Sequence, residues 1–298
     1  MKIAAIIPCY NEELTIKQVI CDIQKYCPKC EIYVFDNNSS DNSYNIAKET
    51  GAIVKKVMYQ GKGEVVRNAF SIIDADIYIL IDGDGECDAS AIPSLIDYLI
   101  NEDLDMITVI RKAGKYRRGH SFGNKMITTF AKILFGKNCN DILSGYRIFS
   151  KKFVKTFPAN SRGFEIETEL TIFALQMRLP IGEMEAEYIK RPEGSHSKLN
   201  TFKDGFRILF TIIYLLITEK PLLFFNTISL IFLVIGLFLG IGITIEYFET
   251  LKVERFPTAI LTICLIILSA LSFSIGLLMN AISKVLSENR RFKYNSVK

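Results

Sequence analysis

The chain has 298 residues, 49% of them hydrophobic, and its mean hydropathy of +0.23 is high for a wholly soluble protein. Its formal net charge of +4 is small, and no basic stripe with interleaved aromatic residues is present, so nucleic acid is excluded as a partner. The seven cysteines are scattered and odd in number, which excludes a disulfide scaffold and favours a reducing compartment. Because the first residues lead directly into a strand-like run, no signal peptide is expected.

Short apolar runs alternate with amphipathic stretches in the first part of the chain. Strands are predicted at residues 3–8, 31–36, 52–57, 77–81 and 105–111. Helices are predicted at residues 11–26, 42–50, 61–73 and 89–100. Strands that alternate with helices of this length form βαβ units, so the pattern predicts an α/β fold with a mostly parallel, Rossmann-like sheet.

The rest of this predicted domain begins with a basic loop at residues 111–118, a helix at 122–135 and a turn-rich segment at 141–149. It continues with a helix with three glutamates at 164–177, a strand-like segment at 181–191 and a second basic loop at 191–198. The domain that these elements complete is predicted to span residues 1–200.

Two long apolar segments follow, at residues 222–245 and 258–283, and each exceeds the roughly 18 uncharged residues that indicate a transmembrane helix. A buried core helix is the alternative, which two such segments in succession disfavour. We therefore predict an interfacial amphipathic helix at residues 201–220 and transmembrane helices at 221–245 and 257–283. A basic tail is predicted at residues 284–298. By the positive-inside rule, the tail and the N-terminal domain both lie on the cytoplasmic side of the cell (inner) membrane.

The first apolar segment contains a small-xxx-small pair, Gly236 and Gly240, with Gly242 close by. Such a pair lets two helices approach each other closely. Self-association of the hairpin into a homo-oligomer is one expectation, and contact with lipid is the other.

The strand predicted at residues 77–81 ends in Asp82-Gly83-Asp84-Gly85-Glu86. The two glycines end the strand, so Asp82 and Asp84 are expected at its carboxyl end, where open α/β sheets bind their ligands. Hard cations such as Mg²⁺ or Mn²⁺ bind carboxylate oxygens together with substrate phosphates. The sequence therefore predicts a metal site for a nucleotide diphosphate, and a solvated Asp-Gly turn is the alternative.

Other polar and aromatic side chains follow neighbouring predicted strands. Pro8, Tyr10, Asn11 and Glu12 lie at or just after the first strand, Asp36 ends the second, and Lys62 lies between two glycines. Because the ends of parallel strands converge, these groups are expected to share one crevice with Asp82 and Asp84. Tyr10 is suited to stack on a base, and Glu12 and Asp36 to accept hydrogen bonds from ribose or base. For each residue alone, a role in a turn or cap is the alternative.

Four segments of the domain, I-I-P-C-Y-N-E, D-N-N-S-S-D, Y-Q-G-K-G and D-G-D, resemble the family 2 glycosyltransferases of the GT-A fold. Two later segments, D-I-L-S-G-Y-R-I-F-S and R-P-E-G-S-H-S-K-L, resemble the branch that contains dolichyl-phosphate mannose synthase and the polyprenyl-phosphate glucosyltransferases. The resemblance covers roughly residues 2–210, with its motifs in the same order. It implies a GT-A catalytic domain followed by an interfacial helix and a two-helix transmembrane hairpin.

The resemblance also implies a role for each matching residue. Nucleotide-sugar binding would involve Pro8, Tyr10, Asn11, Glu12, Asp36, Lys62, Asp82 and Arg111. The metal, Mg²⁺ or Mn²⁺, would be held by Asp82, Asp84 and Glu86. The catalytic residues would be Asp84, Arg147 and Asp141, the last as a base if one is needed and otherwise as a turn cap. The acceptor phosphate would be bound by Arg117, Arg191 and Lys198.

Two positions depart from the family pattern. Glu86 stands where relatives often have Gln and adds a negative charge near the metal, and the spacing from Gly194 to Lys198 is one residue longer than in many relatives. The metal role of Glu86 and the partner of Lys198 therefore stay open.

The predicted activity is inverting transfer of a sugar from a UDP- or GDP-sugar to a polyprenyl phosphate, for glycan or cell-envelope synthesis. This acceptor is already an anionic nucleophile, so it needs cationic groups such as Arg more than a strong base. A transferase with a glycolipid or glycan acceptor and a non-catalytic membrane subunit that binds lipid or nucleotide are the alternatives. A processive synthase is disfavoured, because the chain has no Trp and hence no Q-x-x-R-W motif.

Overall fold

The structure is a computed structural model. It describes residues 1–111, 129, 141–159, 161–163, 165–189, 213–214, 216–218 and 220–297. The chain divides into two compact units, Met1–Ile208 with Arg290–Lys298, and Leu209–Asn289. The second predicted basic loop, the first one except Arg111, the helix predicted at 122–135 except Thr129, and most of the predicted interfacial helix lie outside the described residues.

A seven-stranded sheet, in the order β3-β2-β1-β4-β6-β5-β7, organises the described part of the first unit. The strands are β1 (Ile3–Cys9), β2 (Glu31–Asp36), β3 (Ile53–Lys56), β4 (Ile77–Leu80), β5 (Met106–Arg111), β6 (Arg147–Ser150) and β7 (Ile181–Ala186). All pairings are parallel except the two made by β6, which is antiparallel to both β4 and β5. The predicted mostly parallel sheet is confirmed.

Helices cover both faces of this sheet. They are α1 (Ile16–Tyr26), α2 (Ser43–Glu49), α3 (Lys62–Ile72), α4 (Ile92–Asn101), α5 (Lys151–Thr156) and α6 (Glu165–Met177). The central strand β4 is buried on both faces, because Ile77 and Ile79 pack in one core cluster with α1 and α4, and Tyr78 and Leu80 pack in the other with α3 and α6. Because the side chains on both faces of the strand are buried, the sequence of β4 is a continuous apolar run instead of an alternating one.

The structure differs from the sequence-based expectation at residues 141–149, where β6 and the segment leading into it replace a turn-rich stretch. Only four residues form the strand, and polar and glycine residues precede it, so no period is visible in the sequence. Ser150 then caps α5, since its hydroxyl accepts the N–H of Phe153 at 3.1 Å. The strand inserts between β4 and β5 and separates them.

The second unit contains two long apolar helices, α7 (Pro221–Thr250) and most of α8 (Phe256–Ser296). In their most apolar windows only 6% and 17% of residues are buried, which is unlike the core helices of a soluble protein. Both helices are long and apolar enough to cross a membrane. They include the predicted spans, and α8 continues as helix to Ser296, where a basic tail was predicted.

Small residues bring α7 and α8 together within the second unit. A Cβ added to Gly236 would lie 3.3 Å from Leu265 Cβ, and one added to Gly240 would lie 3.1 Å from Thr262 Cγ2. The hydroxyls of Ser229 and Ser269 lie 3.0 Å apart. The small-xxx-small pair thus packs inside the hairpin, a third outcome beside self-association and lipid contact.

Candidate active site

The carboxyl ends of β1, β2 and β4 lie at one edge of the sheet, because these strands are parallel neighbours. Cys9 pairs with Asp36 across β1 and β2, and Ile6 pairs with Leu80 across β1 and β4. The loops that begin at Tyr10, Asn37 and Ile81 therefore leave the sheet side by side, as expected of a ligand-binding crevice.

A buried lysine lies between two carboxylates at this edge. Lys62 Nζ is 2.5 Å from Asp82 Oδ1 and 2.7 Å from Glu167 Oε1. The side chains of Lys62 and Glu167 are 6% and 8% exposed, whereas that of Asp82 is 31% exposed. The three residues, Glu167 on α6, Lys62 on α3 and Asp82 on the turn after β4, thus form a row of two ion pairs, called the ion chain below. Of these three side chains, that of Asp82 is the one that reaches solvent.

The pKa values of Lys62 and Glu167 in the ion chain depend on one another. Burial by itself would lower the pKa of Lys62, but the carboxylates of Asp82 and Glu167 outweigh it and raise the pKa above its usual range. Burial raises the pKa of Glu167, and the ammonium group of Lys62 opposes that rise. Lys62 is therefore a fixed cation at neutral pH, and removal of either partner leaves a buried charge with one counter-ion fewer.

Two glycines hold Lys62 in this place. A Cβ on Gly61, whose φ is +138°, would collide with the carbonyl oxygen of Arg162, and a Cβ on Gly63 with that of Ser161. The N–H of Gly63 donates to the carbonyl oxygen of Gly163 at 3.1 Å. The start of α3 thus lies directly on the backbone that leads into α6, so G-K-G brings Lys62 to Glu167.

We expect Gly63→Ala to lower the free energy of unfolding by about 1–3 kcal/mol, because the added methyl group must displace the backbone of Ser161. Thermal unfolding of the purified full-length protein measures the change. Gly242→Ala is the matched control, since Gly242 is also helical and has no atom within 4 Å of an added Cβ. Equal unfolding temperatures for both variants would contradict this account of the motif.

The segment that leads into β6 closes over the ion chain. A Cβ on Gly145 would overlap Asp82 Oδ2 and Lys62 Nζ, so a larger residue there would displace these two charged groups. Asp141 is 6% exposed and its Oδ1 accepts the N–H of Leu143 at 3.1 Å, which is a turn interaction. Ser144 Oγ donates to the carbonyl oxygen of Val109 at 2.6 Å and ties the segment to β5.

Arg147 is fully buried beneath this segment. Its guanidinium donates to the carbonyl oxygens of Ser144 at 2.8 Å and Ile142 at 2.7 Å, and to Thr171 Oγ1 at 2.8 Å. These contacts hold the 141–145 segment against α6. A catalytic role of Arg147 stays a prediction, and the geometry favours a positioning role.

Asp84 and Glu86 lie on the turn after Asp82, and both are partly exposed. Asp84 Oδ1 accepts the N–H of Glu86 at 3.1 Å, which folds the turn on itself. The carbonyl oxygen of Glu86 accepts the N–H of Ile189 at 2.8 Å, and Cys87 forms a β-bridge with Tyr188. The turn is therefore tied to the chain that follows β7.

A buried acceptor atom lies at the end of β2, where nucleotide-binding residues were predicted. Asp36 is 2% exposed, and its Oδ1 has no hydrogen-bond partner among the residues that the structure describes. Asn37 fixes the adjacent loop, since its amide donates to the carbonyl oxygen of Tyr59 at 2.7 Å and accepts the N–H of Gly61 at 2.7 Å. An acceptor atom buried without a donor is a place for a ligand N–H or O–H.

Asn11 and Glu12 connect the first loop to the turn before α2. Asn11, at a φ of +52°, donates its N–H to Ser39 Oγ at 3.0 Å and accepts that of Ser40 at 2.8 Å. The N–H of Glu12 donates to Ser43 Oγ at 2.8 Å. These contacts shape the loop, while the side chains of Tyr10 and Glu12 are partly exposed beside it.

The fit of a divalent metal depends on Asp82 and Asp84. No group of three or more His, Cys, Asp or Glu side chains converges as a metal cage within the described residues. Two partly exposed carboxylates separated by one residue suit Mg²⁺ or Mn²⁺, which take their other ligands from water and phosphate. The donor set therefore fits a metal that arrives with a diphosphate, and the metal role of Glu86 stays a prediction.

Several predicted site residues cannot be placed in the crevice. Arg117, Arg191 and Lys198 lie outside the described residues, and Arg111 is the last residue of β5, at the same edge of the sheet. Glu167 was missed as a site residue, although a signal was present, since it is one of two acidic residues, with Glu169, in the mainly apolar stretch from Ile166 to Leu175.

Comparisons with known proteins add to this geometry. Residues 4–157 match the model of the family described as "Glycosyl transferase family 2". The glycosyltransferase AglJ of Haloferax volcanii is 30% identical over 245 residues, which cover 80% of this chain and 80% of that protein. The UDP-N-acetylglucosamine--dolichyl-phosphate N-acetylglucosaminyltransferase of Methanococcus voltae is 27% identical over 239 residues, covering 70% of this chain and 94% of that protein.

A solved structure has the same fold. Glucosyl-3-phosphoglycerate synthase from Mycobacterium tuberculosis, in complex with Mn²⁺, UDP and phosphoglyceric acid, superposes with a TM-score of 0.60 at 22% identity. The match covers 72% of this chain and 77% of that chain. At this identity the likeness shows the fold alone, which is the GT-A fold that was predicted.

Proposed function

The chain belongs to glycosyl transferase family 2, and from this premise we propose that it moves a sugar from a nucleotide-diphosphate sugar to a polyprenyl phosphate. The observation that carries the proposal is the convergence of Asp82, Lys62 and Asp36 at the carboxyl edge of one sheet. A buried cation and carboxylate oxygens beside an unfilled acceptor suit a diphosphate next to a nucleoside.

The donor side of the proposal assigns Asp36 to the nucleoside. Its Oδ1 accepts a hydrogen bond from a base N–H or a ribose hydroxyl, and Tyr10 follows Cys9, which pairs with Asp36 across β1 and β2. The choice between UDP and GDP rests with this pocket. The Methanococcus voltae relative, whose name specifies a UDP-sugar donor, supports UDP.

We expect Asp36→Asn to weaken UDP binding about 10- to 100-fold, because one acceptor for a ligand N–H or O–H becomes a donor. Isothermal titration of UDP into the purified protein measures the affinity. Glu49→Gln, an exposed change on α2, is the matched control and should leave binding unchanged. An unaltered affinity in Asp36→Asn would remove Asp36 from the nucleotide pocket.

The chemical step needs positive charge at the leaving group. As the bond between sugar and diphosphate breaks, negative charge grows on the diphosphate, and Lys62, held as a cation at the edge of the sheet, offsets it. Asp82 and Asp84 would hold Mg²⁺ or Mn²⁺, which supplies further charge stabilisation when bound. Glu167 and Gly145 keep Lys62 and Asp82 in place during the step.

The acceptor side of the proposal assigns the chain after β7 to the lipid phosphate. Ile189 is bonded to Glu86 at the turn that carries Asp84, and Arg191 follows Ile189 by two residues in the sequence. Arg117, Arg191 and Lys198 are the proposed cationic partners of the phosphate. The name of the Methanococcus voltae relative includes dolichyl phosphate, which supports this class of acceptor.

The proposed location follows from the two apolar helices and the charges that flank them. We call the first unit, Met1–Ile208 with Arg290–Lys298, the catalytic unit. We place α7 and α8 across the cell (inner) membrane, with the catalytic unit and the C-terminus in the cytoplasm. A polyprenyl phosphate lies in the same bilayer, so the hairpin keeps the enzyme close to its acceptor.

A product assay tests the proposal. Purified protein in detergent receives Mg²⁺ or Mn²⁺, each of a panel of UDP- and GDP-sugars, and undecaprenyl or dolichyl phosphate. Metal-dependent formation of a lipid-phosphate sugar is the expected result. Transfer of the sugar to a glycolipid or glycan, with no lipid-phosphate product, would overturn the acceptor and retain the transferase.

A further inference from the structure

The end of the last helix belongs to the catalytic unit. Residues Arg290–Lys298 group with Met1–Ile208, although the preceding part of α8 belongs to the second unit. Tyr294 Oη donates to Asp105 Oδ2 at 2.6 Å, and Arg290 Nη1 donates to Gln176 Oε1 at 2.7 Å. These contacts join residues that are 189 and 114 positions apart in the sequence.

Asp105 is a buried junction of three strands. It is 4% exposed, and its Oδ1 accepts the hydroxyl of Ser150, at the end of β6, at 2.6 Å. Its N–H donates to the carbonyl oxygen of Pro180, just before β7, at 2.8 Å, and its carbonyl oxygen accepts the N–H of Ser150 at 3.0 Å. The hydroxyl of Tyr294 satisfies Oδ2, and its loss leaves a buried carboxylate oxygen one donor short.

The ring of Tyr294 also contributes to the core. It packs against the cluster that contains Phe149 and Phe153, and Lys152 Nζ lies 5.9 Å from the ring centroid. By contrast Phe292, two residues earlier on the same helix, is 73% exposed. Tyr294 is therefore a specific anchor in a segment whose neighbour faces solvent.

We propose that residues 290–297 are a built-in strap that docks on the catalytic unit at the sheet edge opposite the candidate active site. Asp105 precedes β5 whereas Asp82 follows β4, and these strands point the same way because both are antiparallel to β6. The strap makes the apolar hairpin an insertion within the catalytic unit. The catalytic unit and the C-terminus consequently lie on the same side of the membrane.

Hydrogen–deuterium exchange and thermal unfolding of the full-length protein in detergent test the strap. Tyr294→Phe is expected to speed exchange at residues 103–108 and 147–152 and to lower Tm by about 3–12 °C. A chain that ends at Asn289 is expected to show at least the same changes. Phe292→Ala is the control and should behave as the parent protein does.

Unchanged exchange and Tm in the chain that ends at Asn289 would overturn the proposal, because that chain lacks the strap altogether. Exchange protection that disappears on dilution would also overturn it, since a second copy of the chain would then supply the tail. Activity does not enter either readout, so the result is independent of the donor and acceptor proposed above.

A second experiment tests whether the catalytic unit and the strap lie on the same side of the membrane. Cys21 is exposed on the catalytic unit, and Ser296→Cys adds a thiol to the strap. In intact cells a membrane-impermeant maleimide is expected to spare both thiols, and in lysed cells it should label both. Labelling of only one of the two in intact cells would overturn the shared location.

Discussion

Asp84→Ala is expected to lower the rate of sugar transfer about 100-fold or more, equivalent to roughly 3 kcal/mol of lost transition-state stabilisation. Asp84 lies on the turn after the central strand, and its carboxylate is partly exposed at the edge that holds Asp82 and Lys62. Its loss removes one of the two carboxylates that fit a divalent metal on the donor diphosphate.

Initial rates with saturating donor and lipid phosphate measure the effect of Asp84→Ala. Asp97→Ala, an exposed carboxylate on α4, is the matched control and should retain the parent rate. The unfolding temperature of Asp84→Ala should stay within a few degrees of the parent, because the change removes a turn hydrogen bond to Glu86 at a partly exposed position. A parent-like rate would contradict the assigned metal site.

Lys62→Met is expected to lower the free energy of unfolding by about 3–5 kcal/mol and to abolish measurable transfer. The change leaves Glu167 buried without the ammonium group that lies 2.7 Å away, and it removes the cation beside Asp82. Glu167→Gln added to Lys62→Met removes the unpaired buried charge, so the double variant should regain most of the stability while transfer stays absent.

A double-mutant cycle on Lys62 and Glu167 measures this coupling by chemical unfolding of the purified protein. A coupling free energy of about 2 kcal/mol or more is expected for a buried pair of this kind. Additive effects of the two single changes would mean that the ion chain does not stabilise the fold. Recovery of transfer in the double variant would mean that Lys62 is not needed at the leaving group.

Local patterns in the sequence determined most of the fold and the first part of the site. Apolar runs such as residues 77–81 must be buried wherever they lie, and alternation with amphipathic helices leaves few arrangements besides a parallel sheet. Polar residues at the ends of such strands converge at one edge, which explains why the amino-acid sequence alone predicts one crevice for Asp36, Lys62 and Asp82. The structure shows the contact between Lys62 and Asp82.

Other features were decided only by the tertiary structure, because they depend on partners that are distant in the sequence. The strand β6 is too short to show a period and forms only between β4 and β5. Glu167 gains its role from Lys62, 105 residues away, and Tyr294 from Asp105, 189 residues away. A residue type and its neighbours establish that a group must be buried or paired, whereas long-range packing selects the partner.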